Sequence, residues 1–500
     1  MIRNVFRHAV LGMLLGVGLG LSPASRADEP ARKPNIVYFI IDELGYYELS
    51  CMGHAEMKTP TFDRMAAEGI RFTQFQAGNC VCAPTRTCLM TGKHSGHTSM
   101  RTNGGWEPIR AGEVTVASLL KQAGYACGGF GKWGCGGRGT SGVPETHGFD
   151  VFFGYYDQVH AHTFFPTYLI RNSQEVPLAG NTGNSREGQT FSQYRILEEA
   201  KKFLVENKDR PFFLYCPWTP PHGQWGIPAD DPSWQLYKDK PWLAGDKNSE
   251  NAKIYAAMVN LVDRQAGEIL ALLKQLGLDE NTIVILSGDN GGNEYFADKD
   301  HPAGFFGPNV DPKTGKRFRG GKGNLYEGGL RIPFIVRWPG KIQPSRVSNY
   351  LGYFPDIMPT LAEVAGAPCP AGLDGISIVP ELLGPKASKV RQVAHGYLYW
   401  EYMGQVAVRW GDWKGVKPRG KAEWELYDLR TDVEEQQNVA AQQPEVLDKI
   451  VRFAAAASQP VQEGEVYDQT LVDRDRTIPL GRPYPPVAKP KPKAKFKVKG

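Results

Sequence analysis

Residues 35–45 read NIVYFIIDELG. Asn35 to Ile41 is an unbroken apolar run of β-branched and aromatic residues, the pattern of a strand buried on both faces of a parallel sheet. It ends in Asp42 and Glu43. Ligands of open α/β sheets gather at the carboxyl ends of the strands, so two acids there are placed to hold a metal rather than to solvate a turn. The same grammar recurs downstream. Phe212–Cys216 and Thr282–Leu286 are further apolar runs of strand length, followed by a proline-rich turn to His222 and by Ser287-Gly288-Asp289-Asn290-Gly291-Gly292. An acid and an amide among glycines offer hard oxygen donors on a backbone that turns tightly, which suits Ca²⁺ better than zinc. Strands are also expected at Ile70–Gln76 and Tyr125–Phe130. Between them, helical spacing marks Pro60–Gly69 with Thr59 as N-cap, Thr115–Ala123, and Ala252–Leu276 closed by Gly277.

A second stretch carries the chemistry. Cys82 to Gly92 reads CAPTRTCLMTG, with cysteine, proline and arginine at alternate positions. Pro84 suits the first turn of a helix, where its missing N–H costs nothing, so Cys82 is expected near the N-cap. Unpaired N–H groups and the positive dipole end favour an anion there, and Arg86, four residues on, shares the face of Cys82.

This stretch resembles the type I sulfatase signature C-x-P-x-R-x-x-L-x-T-G, met by Cys82, Pro84, Arg86, Leu89, Thr91 and Gly92, with Thr85 where many members carry serine. The resemblance runs in motif order from about Pro34 to Ala457. It implies an alkaline-phosphatase-like α/β fold: a mixed, mostly parallel sheet flanked by helices, with a smaller C-terminal antiparallel-sheet α+β domain. It also implies that a maturation enzyme oxidises Cys82 to formylglycine, and that Asp42, Glu43, Asp289, Asn290 and an oxygen on residue 82 hold Ca²⁺. Arg86, Lys132 and Lys322 would stabilise charge, and His222 would face the leaving-group oxygen. Two positions depart from the pattern: Glu43 replaces a second aspartate, and Gly134 stands in Gly131-Lys132-Trp133-Gly134 where the family carries histidine. Glu327 and Arg331 are expected as a structural pair.

His160 and His162, in VHAHTFF, would share one face of an extended segment, and one of them is a candidate to replace the histidine absent at Gly134. Hydrogen-bonded structural or surface histidines are the alternative reading.

Length and composition agree with a large enzyme. The chain has 500 residues, 41% hydrophobic and 22% charged, enough for a sizeable core with a companion domain. Residues 1–27 carry three arginines, an apolar run and Ser25-Arg26-Ala27, which reads as a cleaved export signal rather than a membrane anchor, so a secreted or periplasmic location is expected. The formal charge of +5 misleads: without those arginines and six lysines between Lys489 and Lys499, 49 basic groups face 53 acidic ones. A nucleic-acid partner is excluded on bulk charge. Of eight cysteines, seven remain if Cys82 is modified, so at least one stays unpaired within the chain.

The expected organisation is a signal at 1–27, a catalytic domain at 28–385, a small sheet domain at 386–475, and a flexible basic tail at 476–500. Short aromatic strands at Ala394–Trp400, Val406–Trp410 and Trp424–Asp428, then a helix near Pro444–Ala455, mark the small domain. The function implied is hydrolysis of sulfate monoesters, with a sulfated polysaccharide as the natural substrate. Two alternatives stand beside it: a phosphoester or phosphonate hydrolase of the same superfamily, although the second histidine and carboxylate set of a two-metal phosphatase is not found in the sequence, and a non-catalytic relative that binds sulfated glycans.

Overall fold

The computed structural model describes residues 32–104 and 107–482. The expected export signal and the lysine-rich tail beyond residue 482 lie outside the described residues. Residues 476–482, assigned in sequence to the tail, instead carry a short turn at Ile478–Leu480 whose Pro479 and Leu480 are buried.

Ten strands form one sheet: β1 (Asn35–Ile41), β2 (Ile70–Phe72), β3 (Ala126–Lys132), β4 (Val151–Tyr155), β5 (Tyr168–Arg171), β6 (Gln174–Pro177), β7 (Phe212–Trp218), β8 (Thr282–Gly288), β9 (Phe334–Arg337) and β10 (Arg346–Ser348). Their order is β10-β2-β9-β8-β1-β7-β3-β4-β5-β6. The five central strands, β8 to β4, are parallel, and antiparallel pairings lie only toward the two edges. β1 is central. Its alternate residues Val37, Phe39 and Ile41 enter one buried cluster with the helices Ser192–Glu206 and Ser249–Gln275. Ile36, Tyr38 and Ile40 enter another with Val116–Gln122 and Ile357–Ala365. Each fully buried residue of this kind contributes about 1.5–3 kcal/mol, which is why a strand covered on both faces reads as an unbroken apolar run.

Register decides where the chemistry sits. Ile41 lies opposite Trp218 of β7 and Gly288 of β8, so the three strands end at one level. Asp42, the turn to His222, and Asp289 therefore emerge into the same crevice at the carboxyl edge. The cis Pro220–Pro221 bond lies in that turn.

Several local expectations shift. The strand expected to reach Gln76 stops at Phe72, and Gln76 makes only isolated bridges with Arg331 and Tyr353. Thr59 occupies the N-cap of Pro60–Ala67, but its side chain does not cap the helix. The buried carboxylate of Asp263, from Ser249–Gln275, accepts the N–H groups of Thr61 and Phe62 at 3.0 and 2.8 Å instead. The segment expected to run extended through the two histidines is a short helical turn, His160–His162.

Four more strands, β11 (Leu398–Tyr402), β12 (Gln405–Trp410), β13 (Trp413–Lys417) and β14 (Glu425–Asp428), make an antiparallel meander. One face packs on the helix Pro444–Ala457. The other joins Cys80, Val81, Leu325 and Tyr353 in a common apolar cluster, so the described residues from Lys33 form one compact unit, with the change of sheet falling between Ser348 and Leu398.

A buried charge network fastens this sheet to the larger one. Lys414 Nζ, on β13, lies 3.0 Å from both Glu327 Oε1 and Glu435 Oε1, and Arg331 Nε donates to Glu327 Oε2 at 2.8 Å. The Glu327–Arg331 pair thus holds as a structural element. Replacing Lys414 by methionine leaves the buried Glu435 carboxylate without its cation and Glu327 without one of its cations, and is expected to cost about 3–5 kcal/mol in chemical denaturation. An unchanged unfolding midpoint would show that the network does not join the sheets.

Candidate active site

The helix Cys82–Thr91 begins with Cys82 as its first helical residue, one position inside the expected N-cap, and Val81 is the extended residue before it. Neighbours pin this turn. Asn103 Oδ1 accepts the Ala83 N–H at 3.0 Å, and Thr85 Oγ1 accepts from Gly78 and Asn79 at 3.0 and 3.2 Å. Gly92 closes the helix in the left-handed conformation. The Cys82 thiol is fully buried and its Sγ donates to Asp42 Oδ1 at 3.1 Å. Burial, with the Asp289 and Asp42 carboxylates beside it, pushes the thiol well above its ordinary range. Cys82 is therefore a poor thiolate nucleophile as it stands. No disulfide engages any of the eight cysteines, Cys80 included.

Around Cys82 sit four buried charges. Lys132 Nζ pairs with Asp42 Oδ2 at 2.5 Å. Arg86 Nη2 lies 2.9 Å from Asp289 Oδ2 and 3.6 Å from Asp42 Oδ2, while its Nη1 donates to the Lys132 carbonyl at 2.7 Å. Burial opposes ionisation of Asp42, but Lys132, His222 and Arg86 together hold it well below the carboxylate range. Asp289 moves the other way, raised by burial and by the Asp42 charge. Two carboxylates compete for the same cations, so one gains at the other's expense.

Glu43 forms the other half of the crevice. It holds a left-handed φ of 60°, and its N–H donates to Asp289 Oδ1 at 3.0 Å. Its carboxylate meets the Lys322 ammonium, the Tyr295 hydroxyl and, at 3.1 Å, His222 Nε2. Lys322 Nζ is also 3.4 Å from His222 Nε2. Asp42, Glu43, Cys82 and His222 each place one donor atom within 4.8 Å of the others. Asn290 Oδ1, fully buried, has no hydrogen-bond partner, while its Nδ2 donates to Gly291 O at 3.0 Å. Acidic oxygens and an orphan amide oxygen at the ends of adjoining strands are a donor set for a hard cation.

Sequence reasoning left Gly134 as a gap. Gly134 has φ 78°, and a Cβ there would meet Gln158 Nε2 at 2.8 Å, so that space is already filled. Of the two histidines, His160 is fully buried with Nε2 2.9 Å from the Tyr168 carbonyl, a structural role. His162 stacks on His222, ring centroids 4.9 Å apart at 11°. Burial, then His222 and Lys132, lowers His162 to about 3, and burial lowers His222 as well. Tyr295, which meets Glu43, and Gln158, beside Gly134, carried no signal in sequence; both sit on loops. In a second cluster of His94, His97 and Asp374, Asp374 accepts the His94 backbone N–H at 2.9 Å and pairs with His97 Nδ1 at 2.8 Å, while His97 Nε2 has no hydrogen-bond partner.

Comparison with known proteins shows the family. The family described as Sulfatase matches residues 34–367, and that described as N-sulphoglucosamine sulphohydrolase, C-terminal, matches 318–453. The chain is 32% identical over 405 residues to an N-acetylgalactosamine-6-sulfatase of Canis lupus familiaris, covering 75% of this chain and 70% of that protein. It is 28% identical to an N-acetylgalactosamine-6-O-sulfatase of Bacteroides thetaiotaomicron, covering 89% and 97%. Among solved structures, Ps i-CgsB in complex with k-i-k-neocarrahexaose superposes with a TM-score of 0.71 at 25% identity, covering 88% of this chain and 96% of that one.

The charge balance around Asp42 and Asp289 has a measurable consequence. Arg86→Met removes the cation that both carboxylates share, and is expected to destabilise the protein by about 3–5 kcal/mol in chemical denaturation. A midpoint matching the unsubstituted protein would mean that Arg86 does not neutralise the pair.

Proposed function

Because the chain belongs to the sulfatase family, we propose that it is an exported hydrolase of sulfate monoesters carried on carbohydrate, matured by oxidation of Cys82 to formylglycine and dependent on Ca²⁺. The observation that carries this reading is the position of Cys82: its Sγ lies 3.1 Å from Asp42 Oδ1 at the start of a helix, with the cations Arg86 and Lys132 fixed around that same carboxylate. A carbohydrate substrate is supported by the names of similar proteins, N-acetylgalactosamine-6-sulfatases and Ps i-CgsB in complex with k-i-k-neocarrahexaose.

Asp42, Asp289 and Asn290, with Glu43 from the opposite side, are the residues that would hold the metal. With residue 82 oxidised and the metal bound, the pair supplies an oxygen nucleophile and a Lewis acid for the sulfuryl oxygens. Everything else is the work of this chain's own side chains. Arg86 and Lys132 hold fixed positive charge beside residue 82, already oriented by Asp289, Asp42 and the Lys132 carbonyl, so charge gathering on the sulfuryl group meets prearranged partners. Lys322 and His222 meet each other and Glu43 in the same crevice and would face that group there. The His222 Nδ1 lies 3.4 Å from the Gly223 carbonyl, which leaves Nε2 toward Lys322 and Glu43. Nε2 is then the atom through which a proton passes to the departing alcohol oxygen, with Lys322 as its neighbour and His162 stacked behind to fix the ring.

Three outcomes test this account. Protein made with a formylglycine-generating enzyme is expected to release sulfate from 6-sulfated N-acetylgalactosamine, and Cys82→Ala to lower turnover by at least about 10³-fold. Faster turnover of an aryl phosphate than of an aryl sulfate by the same preparation would reverse the assignment. Calcium at about 100 times its Kd is expected to add about 2.7 kcal/mol of stability, lost on chelation and weakened in Asn290→Ala. An identical melting temperature with and without chelator would remove the metal from the reading.

A further inference from the structure

Gln158 is 3% exposed, and neither its Oε1 nor its Nε2 has a hydrogen-bond partner. A buried primary amide left unpaired costs about 1–3 kcal/mol for each unmet group, and such groups in folded proteins call for a reason. Its location supplies one. Gln158 follows the carboxyl end of β4, which is the neighbour of β3, the strand that delivers Lys132. Its amide lies over Gly134: a Cβ at that glycine would come 2.8 Å from Nε2, 3.4 Å from the amide carbon and 3.3 Å from Arg86 Cδ. Gly134 thus adjoins both this amide and the aliphatic stem of the arginine whose guanidinium joins Asp42 and Asp289.

The backbone that carries it is held firmly on both sides. Asp157 accepts from the Val159 N–H at 2.7 Å and pairs with Arg476 at 3.1 Å, and Arg476 Nη2 donates to the Gly104 carbonyl at 2.6 Å. Asn103, one residue before Gly104, accepts from the turn that holds Cys82. On the other side, the turn His160–His162 sets His162 on His222. Gln158 is therefore suspended between the nucleophile turn and the leaving-group histidine, its polar end unused. Glycine at 134 is what leaves room for it.

We propose that Gln158 is a substrate-binding residue whose Nε2–H donates to an oxygen of the sulfuryl group, while its Oε1 accepts from a hydroxyl of the attached sugar. A neutral amide fits this role because it adds a donor without a further charge to a site where Arg86, Lys132 and Lys322 already balance Asp42, Glu43 and Asp289. The proposal rests on the sulfate-ester reading of the site.

Inorganic sulfate, titrated calorimetrically into the Ca²⁺-loaded and matured protein, serves as the probe, alongside the KM for 4-nitrophenyl sulfate. Gln158→Leu and Gln158→Glu are each expected to raise the sulfate Kd and the KM by about tenfold, the loss of one hydrogen bond to a charged group. Gln158→Leu is also expected to leave the melting temperature of the sulfate-free protein unchanged or higher, since an apolar group replaces an unpaired amide. A lower melting temperature with unchanged Kd and KM would make Gln158 a structural residue and overturn the proposal, as would unsubstituted protein that binds no sulfate. The two readings fail separately. Sulfate binding that weakens in Gln158→Leu, in a protein that hydrolyses no sulfate ester, would remove the enzyme assignment and leave Gln158 as an anion ligand.

Discussion

Asp42 is the point on which this molecule turns. One buried carboxylate receives the Cys82 thiol, the Lys132 ammonium and the Arg86 guanidinium, and its neighbour Glu43 starts a second set of contacts to Lys322, His222 and Tyr295. Charges out of water are costly unless paired, so each member of this group survives only because the others are present. That mutual dependence constrains the backbone. β1, β7 and β8 must end at one level, because Asp42, His222 and Asp289 have to meet, and the parallel register from Asn35 to Ile41 delivers that. The five parallel strands are in turn stable because helices cover both faces.

The smaller sheet serves the same end from a distance. Lys322 lies on a loop that leads to the short helix Glu327–Leu330, and Glu327 is fixed by Arg331 and by Lys414 from β13. Lys322 is thereby presented to Glu43 by a segment anchored in the meander. Arg319 extends this anchoring, donating to Tyr427 Oη at 2.6 Å and to the Glu435 carbonyl at 3.0 Å. Fastening a loop of the crevice to a second layer keeps its geometry without enlarging the first core.

Much of this was legible in the sequence, and the exceptions have physical causes. β1, β7 and β8 stand out because burial on both faces demands unbroken apolar runs, and the acids just past them announce the crevice. β5 and β6 do not: they form a partly exposed edge hairpin, with Gln174-Glu175-Val176-Pro177 showing little apolar content. β13, Trp413-Lys414-Gly415-Val416-Lys417, is absent from the expected strands because Lys414 is buried only by virtue of Glu327 and Glu435, and no local pattern encodes a distant partner. Thr59 fails as a cap for the same reason, since Asp263 arrives from 200 residues away. Within the site, Asp42 and Asp289 were marked by position after strands and Cys82 by its spacing to Pro84 and Arg86, whereas Tyr295 and Gln158 sit on loops where only the folded chain brings them in. The gap at Gly134 was visible, but what fills it was not.

The most direct measurement is the mass of the tryptic peptide Phe72 to Arg86 from protein secreted by a host that carries a formylglycine-generating enzyme. Conversion of the Cys82 thiol to an aldehyde is the predicted result, since Cys82 heads the C-x-P-x-R stretch and its buried thiol, pushed well above its ordinary range, is a poor nucleophile as it stands. An unmodified thiol, or a disulfide joining Cys80 to Cys82, would contradict the account and leave the crevice as a binding site for sulfated glycans.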